Sequence, residues 1–305
     1  MKLMLANNQS EKFRAFHDEL RREAGDFYDY SGYRDLLFLF DTEGERRAQF
    51  FNVDTGRWSH EYDGVYINGY LGTPDMAVTV AVVLDSEGVG YANQELKDGL
   101  SLSKLSGYAK MAAKGVMIPR TYAGARGAVL RGVEMGVVEM SYPAVLKRAD
   151  ADGGIDNFKV KSADEVRDIL VEQDEVSVWV LQDFIPNDGF YLVTFYHDEP
   201  KFAIFRSLEK RDDGDGQLEH IFKPKSGENA TLMEVDEVDG RIVEESAKAI
   251  RAMGRQVASV DSIFVEETGK TYVLEVNYNP SIVNMQVFMD VRKKSLLDAL
   301  RRLGE

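Results

Sequence analysis

Strand-like and helix-like apolar patterns alternate through the first 94 residues, and no other property of the 305-residue chain restricts its fold as sharply. After an apolar start at residues 2–5, Phe13, Phe16 and Leu20 recur at helical spacing, behind the capping residue Ser10 and ahead of Gly25. Residues 36–40, 48–53 and 64–67 read as strands. Thr73-Pro74-Asp75 opens a helix, because proline at the first helical position loses no hydrogen bond. The apolar run 76–84 continues that helix and Gly88 stops it. This alternation predicts a small α/β lobe built on a parallel sheet.

Beyond it, a helix pattern starts at Ser101 or Ser103, carries Leu105, Tyr108 and Met111 toward a core, and ends at Gly115. Val116-Met117-Ile118-Pro119 leaves it extended. Residues 143–146 form a short apolar strand ahead of a loop through Asp152-Gly153-Gly154. Ser162-Ala-Asp-Glu165 is a capping box for a helix burying Val166, Ile169 and Leu170. Residues 176–181, 191–196 and 202–206 are strands, 182–189 a connection and 210–227 a charged, glycine-rich loop. Ile242, Val243, Ala247, Ile250 and Met253 mark a helix closed by Gly254, and residues 285–303 a final basic amphipathic helix.

Between these helices lies SVDSIFVEETGKTYVLEVNYNPS, residues 259–281, which reads as a β-hairpin. Asp261 starts its first strand, while Glu275 and Asn277 end the second ahead of an Asn-Pro stop. Side chains two apart in a strand share a face at roughly 6.5–7 Å, so Glu275 and Asn277 point together and Asp261 can face them. Two carboxylates and an amide oxygen suit Mg²⁺. Taken alone, the pattern favours a surface hairpin with solvated acids, since short motifs match by chance.

Composition removes several alternatives. A net charge of -15 argues against nucleic acid or an anionic membrane as partner. The absence of cysteine removes disulfides, thiolate zinc sites and a cysteine nucleophile. No signal peptide or membrane-length run is evident, so a cytoplasmic protein is expected. Walker A, GxGxxG, GxSxG and HExxH motifs are missing. A calcium loop at Asp150 fails because its twelfth position is Lys161.

Cations complete the inventory. Lys147 ends a strand beside Gly153 and Gly154, where backbone amides can approach phosphate closely; a plain turn between strands fits those residues equally. Lys104, in a first helical turn, is either solvated or aimed at phosphate. Arg206 ends a strand and either snorkels at the sheet edge or points into a cleft.

Their order adds a further argument. Ser103-Lys104 with Met117-Ile118-Pro119-Arg-Thr121, Tyr142-Pro-Ala-Val-Leu-Lys147 with Gly153-Gly154, Val180-Leu-Gln-Asp-Phe-Ile185, Arg206, and Asp261 with Glu275-Val-Asn277-x-x-Pro280 together resemble the ATP-grasp superfamily. The RimK-like and glutathione-synthetase-like carboxylate–amine ligases are the members it looks like, from about residue 60 to the C-terminus. The resemblance implies an α/β (α+β) fold in which two lobes, 99–180 and 181–305, grip ATP behind a small α/β lobe at 1–98. It implies ATP and one or two Mg²⁺ ions, with Mn²⁺ a possible substitute. Lys104 and Lys147 would contact phosphates, and Gly153 and Gly154 would form a lid loop. Gln182, Asp183, Phe184 and Ile185 would flank adenine, and Asp261, Glu275 and Asn277 would hold metal. Arg206 would stabilise an oxyanion.

One departure stands out: the family's Asp-x-Arg after the adenine segment is here Gly189-Phe190-Tyr191, with Asp188 one residue earlier as a substitute acid. Lys223, near Lys225, could supply the missing positive charge. The implied reaction joins a small-molecule or peptide carboxylate to an amine through an acyl phosphate, with a homo-oligomer left open. Two alternatives remain, a small-molecule kinase on the same fold and a nucleotide-binding protein without turnover.

Overall fold

The computed structural model describes residues 1–6, 11–41, 46–68, 73–98, 104–149, 151, 156–207, 230–277 and 289–303. Its N-terminal part runs β1 (Lys2–Leu5), α1 (Glu11–Ala24), β2 (Tyr28–Ser31), β3 (Leu36–Phe40), β4 (Ala48–Asn52), β5 (Arg57–Trp58), β6 (Gly64–Ile67), α2 (Pro74–Glu87) and β7 (Tyr91–Ala92). The alternation predicts a parallel sheet, and β2-β1-β6-β7 is one. The expected strands at 36–40 and 48–53 do not join it. With β5 they form a separate antiparallel sheet, because the short links between them are too short for a parallel crossover. Gly88 caps α2 at φ +68°, its amide donating to the carbonyls of Leu84 and Asp85. That left-handed backbone favours glycine.

The middle part runs α3 (Lys104–Ala113), β8 (Thr121–Ala125), α4 (Arg126–Glu134), β9 (Ala144–Arg148), β10 (Asn157–Val160), α5 (Ala163–Val171) and β11 (Val178–Asp183). Its antiparallel sheet has the order β10-β9-β11-β8. β8 and α4 escape sequence reading because TYAGA carries little apolar bulk and α4 contains two glycines. Ser162 caps α5 as expected, its Oγ accepting from the Glu165 amide at 3.2 Å. Leu105 is exposed, contrary to expectation. Gly107, Tyr108 and Met111 define the buried face of α3, and Leu105 lies roughly 115° around from its centre at 100° per residue.

The C-terminal part runs β12 (Gly189–Tyr196), β13 (Glu199–Ser207), β14 (Ala230–Met233), α6 (Gly240–Met253), β15 (Val257–Val265), β16 (Lys270–Asn277) and α7 (Met289–Arg302). Its antiparallel sheet has the order β14-β13-β12-β15-β16. β15 begins earlier than the apolar run suggests, so Asp261 sits in mid-strand and not at its start. β14 was not read, being four residues beside a long polar segment. Expectations for Ser10, residues 210–227 and residues 285–288 lie outside the described residues.

Alternation divides each of these sheets into two faces. On the middle sheet Ala144, Leu146, Val160, Trp179 and Leu181 pack on α4 and α5, which leaves Lys147, Lys159, Val180 and Gln182 on the other face. On the C-terminal sheet Val193, Phe195, Ala203, Ala258 and Val260 pack on α6 and α3. Phe202, Ile204 and Val257 turn the opposite way, into a core shared by Phe13, Phe16 and Tyr66 of the N-terminal part and Leu296 and Leu300 of α7. Lys2 Nζ donates to the Leu303 carbonyl in the same region. No described helix is long and apolar enough to cross a membrane.

Candidate active site

Strand register explains which polar side chains meet. Thr121, Gln182, Val145 and Lys159 form one row across β8, β11, β9 and β10, and Lys147 stands one step along the same face. Lys147 Nζ donates to Gln182 Oε1 at 3.1 Å and lies 5.2 Å from the Tyr108 ring centroid. Gln182 Nε2 donates to Thr121 Oγ1 at 2.8 Å, and Thr121 Oγ1 donates to the Pro119 carbonyl at 2.7 Å. Gln182 is therefore a buried relay that holds Lys147. It belongs to β11, as does Asp183, and not to the connection expected at 182–189.

The rest of the expected adenine segment is more dispersed. Asp183 alternates to the opposite face and pairs with Arg120 at 3.2 Å, while its amide donates to the Arg120 carbonyl at 3.0 Å. Phe184 lies under Lys159, 4.2 Å from ring centroid to Nζ. The Ile185 carbonyl accepts from Asn187 Nδ2 at 2.7 Å. Asp188 is exposed. Gly153, Gly154 and Lys223 lie outside the described residues.

The acids sit on the C-terminal sheet. Asp261 is directly opposite Glu275, and Ser259 opposite Asn277. A bulge after Asp261 leaves Leu274 without a cross-strand partner, and Tyr108 Oη donates to the Leu274 carbonyl at 2.9 Å. That bond ties α3 to the strand carrying Glu275. Lys104, in the first turn of α3, lies 3.7 Å from Glu275 Oε1 and donates to the Ala151 carbonyl.

Asp261 keeps some residue-level exposure, yet its Oδ1 is shut off from solvent and has no hydrogen-bond partner among the described residues. Burial, then the facing Glu275, push its pKa up to about 7; Arg206, an Asn277 hydrogen bond and Lys147 pull the other way. Lys147 and Arg206 therefore both act on Asp261, although they come from different sheets. Two hard carboxylates with an amide oxygen match the donor chemistry of Mg²⁺. A divalent cation would relieve both the repulsion between the acids and the stranded Oδ1, so these residues fit such an ion. Among the described residues no three His, Asp or Glu side chains cluster as a metal site, so the amide would be the third donor.

Arg206 on β13 pairs across with Phe190 of β12, next to Gly189. A Cβ on Gly189 would stand 2.4 Å from the Arg206 carbonyl oxygen and 2.5 Å from Phe205 Cζ. Backbone crowding thus disfavours any side chain at 189, which gives a steric reason for the departure from Asp-x-Arg. Sequence reading missed the roles of Tyr108, Arg120 and Lys159 and the relay through Thr121. Tyr108 carried only a core signal, and the others acquire meaning through strand register.

No family model matches the sequence, and no curated protein matches it significantly. Solved structures do. The ATP-grasp ligase PsnB, complexed with precursor peptide PsnA2 and AMPPNP, superposes with a TM-score of 0.65 at 12% identity, over 98% of this chain and 97% of that one. D-alanine–D-alanine ligase from Bacillus anthracis, complexed with ATP, gives 0.63 at 16%, over 100% and 97%. VanG D-Ala:D-Ser ligase from Enterococcus faecalis gives 0.64 at 14%, over 100% and 99%. The chain has the ATP-grasp fold.

Proposed function

We propose that this ATP-grasp chain is an ATP- and Mg²⁺-dependent carboxylate–amine ligase. The observation that carries the reading is the convergence of Lys147 from one sheet and Arg206 from another on the stranded Asp261, which faces Glu275 and accepts from Asn277. The similar structures, which are ligases seen with AMPPNP or ATP, support it.

In this reading the substrate carboxylate attacks the γ-phosphorus and ADP leaves. The amine then attacks the acyl carbon, phosphate leaves, and the nitrogen gives up its proton. Such chemistry needs position and charge neutralisation more than a side-chain nucleophile. Asp261, Glu275 and Asn277 would hold Mg²⁺, which when bound neutralises phosphate charge. Lys147, oriented by Gln182, and Lys104, beside Glu275, bring positive charge to the phosphates. Residues 183–185, with the Phe184 ring among them, would border the adenine. Arg206 faces the acid pair and stabilises oxyanion charge on the acyl group. Lys223, Gly153 and Gly154 are assigned their parts by resemblance alone.

The test is a panel of amino acids and short peptides scored for ADP release, with products identified by mass. A ligase releases ADP and free phosphate only when carboxylate and amine are both present. Glu275→Gln should lower turnover by about a hundred-fold or more, the scale of a lost electrostatic stabiliser, with the fold retained. Undiminished turnover in that variant would remove Glu275 from the metal site, and phosphate retained on the product would identify a kinase.

A further inference from the structure

Four cationic side chains among the described residues are almost wholly buried: Lys2, Arg255, Arg292 and Lys293. A buried charge is strongly destabilising unless it is paired. Lys2 donates to the carbonyls of Asp63 and Leu303, Arg255 lies 3.5 Å from Glu95, and Lys293 pairs with Glu19 and Glu23. Arg292 differs. It is 3% exposed, yet its Nε and Nη1 have no hydrogen-bond partner among the described residues.

Helix α7 places the Arg292 guanidinium over Phe202, its Cζ 5.8 Å from the ring centroid. Phe202, Ile204 and Arg206 alternate onto one face of β13. The register continues that face through Leu192 to Asp261 and Glu275. Arg292 therefore reaches the face that carries the acid pair. Burial and Arg206 bring its pKa down to about 10, against an opposing pull from Tyr196. It stays cationic near neutral pH. Burial pushes the Tyr196 phenol up to about 12, so that neighbour is neutral and cannot balance the charge. Two arginines thus act on one another in an apolar setting of Phe202 and Ile204, with a neutral phenol beside them.

We propose that Arg292, beside Arg206, binds a carboxylate group of the substrate. A planar guanidinium with unsatisfied N–H donors suits a carboxylate on an apolar body, while Lys104 and Lys147 already serve the phosphates. The identity of the substrate rests on the ligase reading; the anion site itself does not. The carboxylate is either the one to be activated or a second one on the amine substrate.

Thermal unfolding of the full chain tests this with succinate and glutarate as probes, and with glutaramide and inorganic phosphate as controls at matched ionic strength. The two dicarboxylates should raise the wild-type Tm more than either control does. Arg292→Met should abolish that gain, weakening apparent affinity by about ten- to a hundred-fold as a lost charge-assisted hydrogen bond does. Without ligand it should be at least as stable as wild type, since a buried unpaired charge has gone. An undiminished carboxylate gain in the variant, or a less stable variant that still binds glutarate, overturns the assignment in favour of a packing role. An equal gain from phosphate overturns the carboxylate class. Should Arg292→Met not fold, Arg292→Gln carries the same readout with a neutral polar side chain.

Once a turnover substrate is known, its amide analogues separate the two carboxylate sources: the one whose loss makes wild type behave like Arg292→Met is the group bound. Because the primary readout is unfolding and not ADP release, failure of the ligase reading leaves this result interpretable.

Discussion

Replacing Gly189 by alanine is a small change with a large expected effect. The new Cβ would meet the Arg206 carbonyl oxygen at 2.4 Å and Phe205 Cζ and Cε2 at 2.5 and 2.8 Å. Phe205 can swing aside, but the carbonyl is backbone in the β12–β13 ladder, where Phe190 pairs with Arg206. The strands must part by a few tenths of an ångström or more. Overpacking of this kind costs about 1–3 kcal/mol. At about 1.6 °C per kcal/mol for a chain of 305 residues, a Tm lower by roughly 2–5 °C is expected from calorimetry. Arg206 moves with its carbonyl, so turnover should fall more than ATP affinity. The double variant Gly189→Ala, Phe205→Ala should remain destabilised, because the carbonyl contact persists. A single variant that unfolds within about 1 °C of wild type and turns over normally would refute the crowding argument and, with it, the steric reason for lacking an acid at 189.

Other expectations concern buried ionisable groups. His17 is wholly buried against Tyr28, and burial lowers its pKa from 6.5 to about 3. Its contribution is complete above pH 6.5 and is lost as pH falls, because the unfolded chain takes up a proton that the folded chain refuses. Between pH 7 and 5 the loss is about 2 kcal/mol at 1.36 kcal/mol per unit, so urea denaturation of His17→Gln should show a pH dependence flatter by that amount. Glu95 and Arg255 form a buried pair, so Glu95→Gln alone should cost about 3 kcal/mol or more in urea denaturation. Glu95→Leu with Arg255→Met should recover most of that; an equally unstable double variant would argue that packing and not charge dominates there.

Much of the site was legible because its residues sit at element ends that short apolar runs mark well. Local pattern places Glu275 and Asn277 on the hairpin, Lys147 at a strand end and Lys104 at a helix start, while their site roles come from the family resemblance alone. What stayed hidden depends on register or on distant chain. Gln182 looked like a loop residue because the apolar run stops before it, yet β-pairing to Thr121 carries the strand through it. The bulge after Asp261 has no sequence signature, although it sets Leu274 against Tyr108. The last helix reads as basic and amphipathic, a pattern that does not single out Arg292 and Lys293 as the buried cations. Strands 36–40 and 48–53 were visible as strands, but which sheet they join is decided by link length and not by composition.

The core shared by α1, β1 and the last helix also bears on synthesis. Met4, Phe13, Phe16 and Tyr66 are covered by residues such as Leu296 and Leu300. A ribosome making roughly 5–20 residues per second needs on the order of 10–40 s to go from residue 98 to residue 289. For that interval the nascent N-terminal part holds an apolar wall without its cover. Holding chaperones would therefore find their target in this early segment, and a chain broken before α7 would present the same wall permanently to proteases.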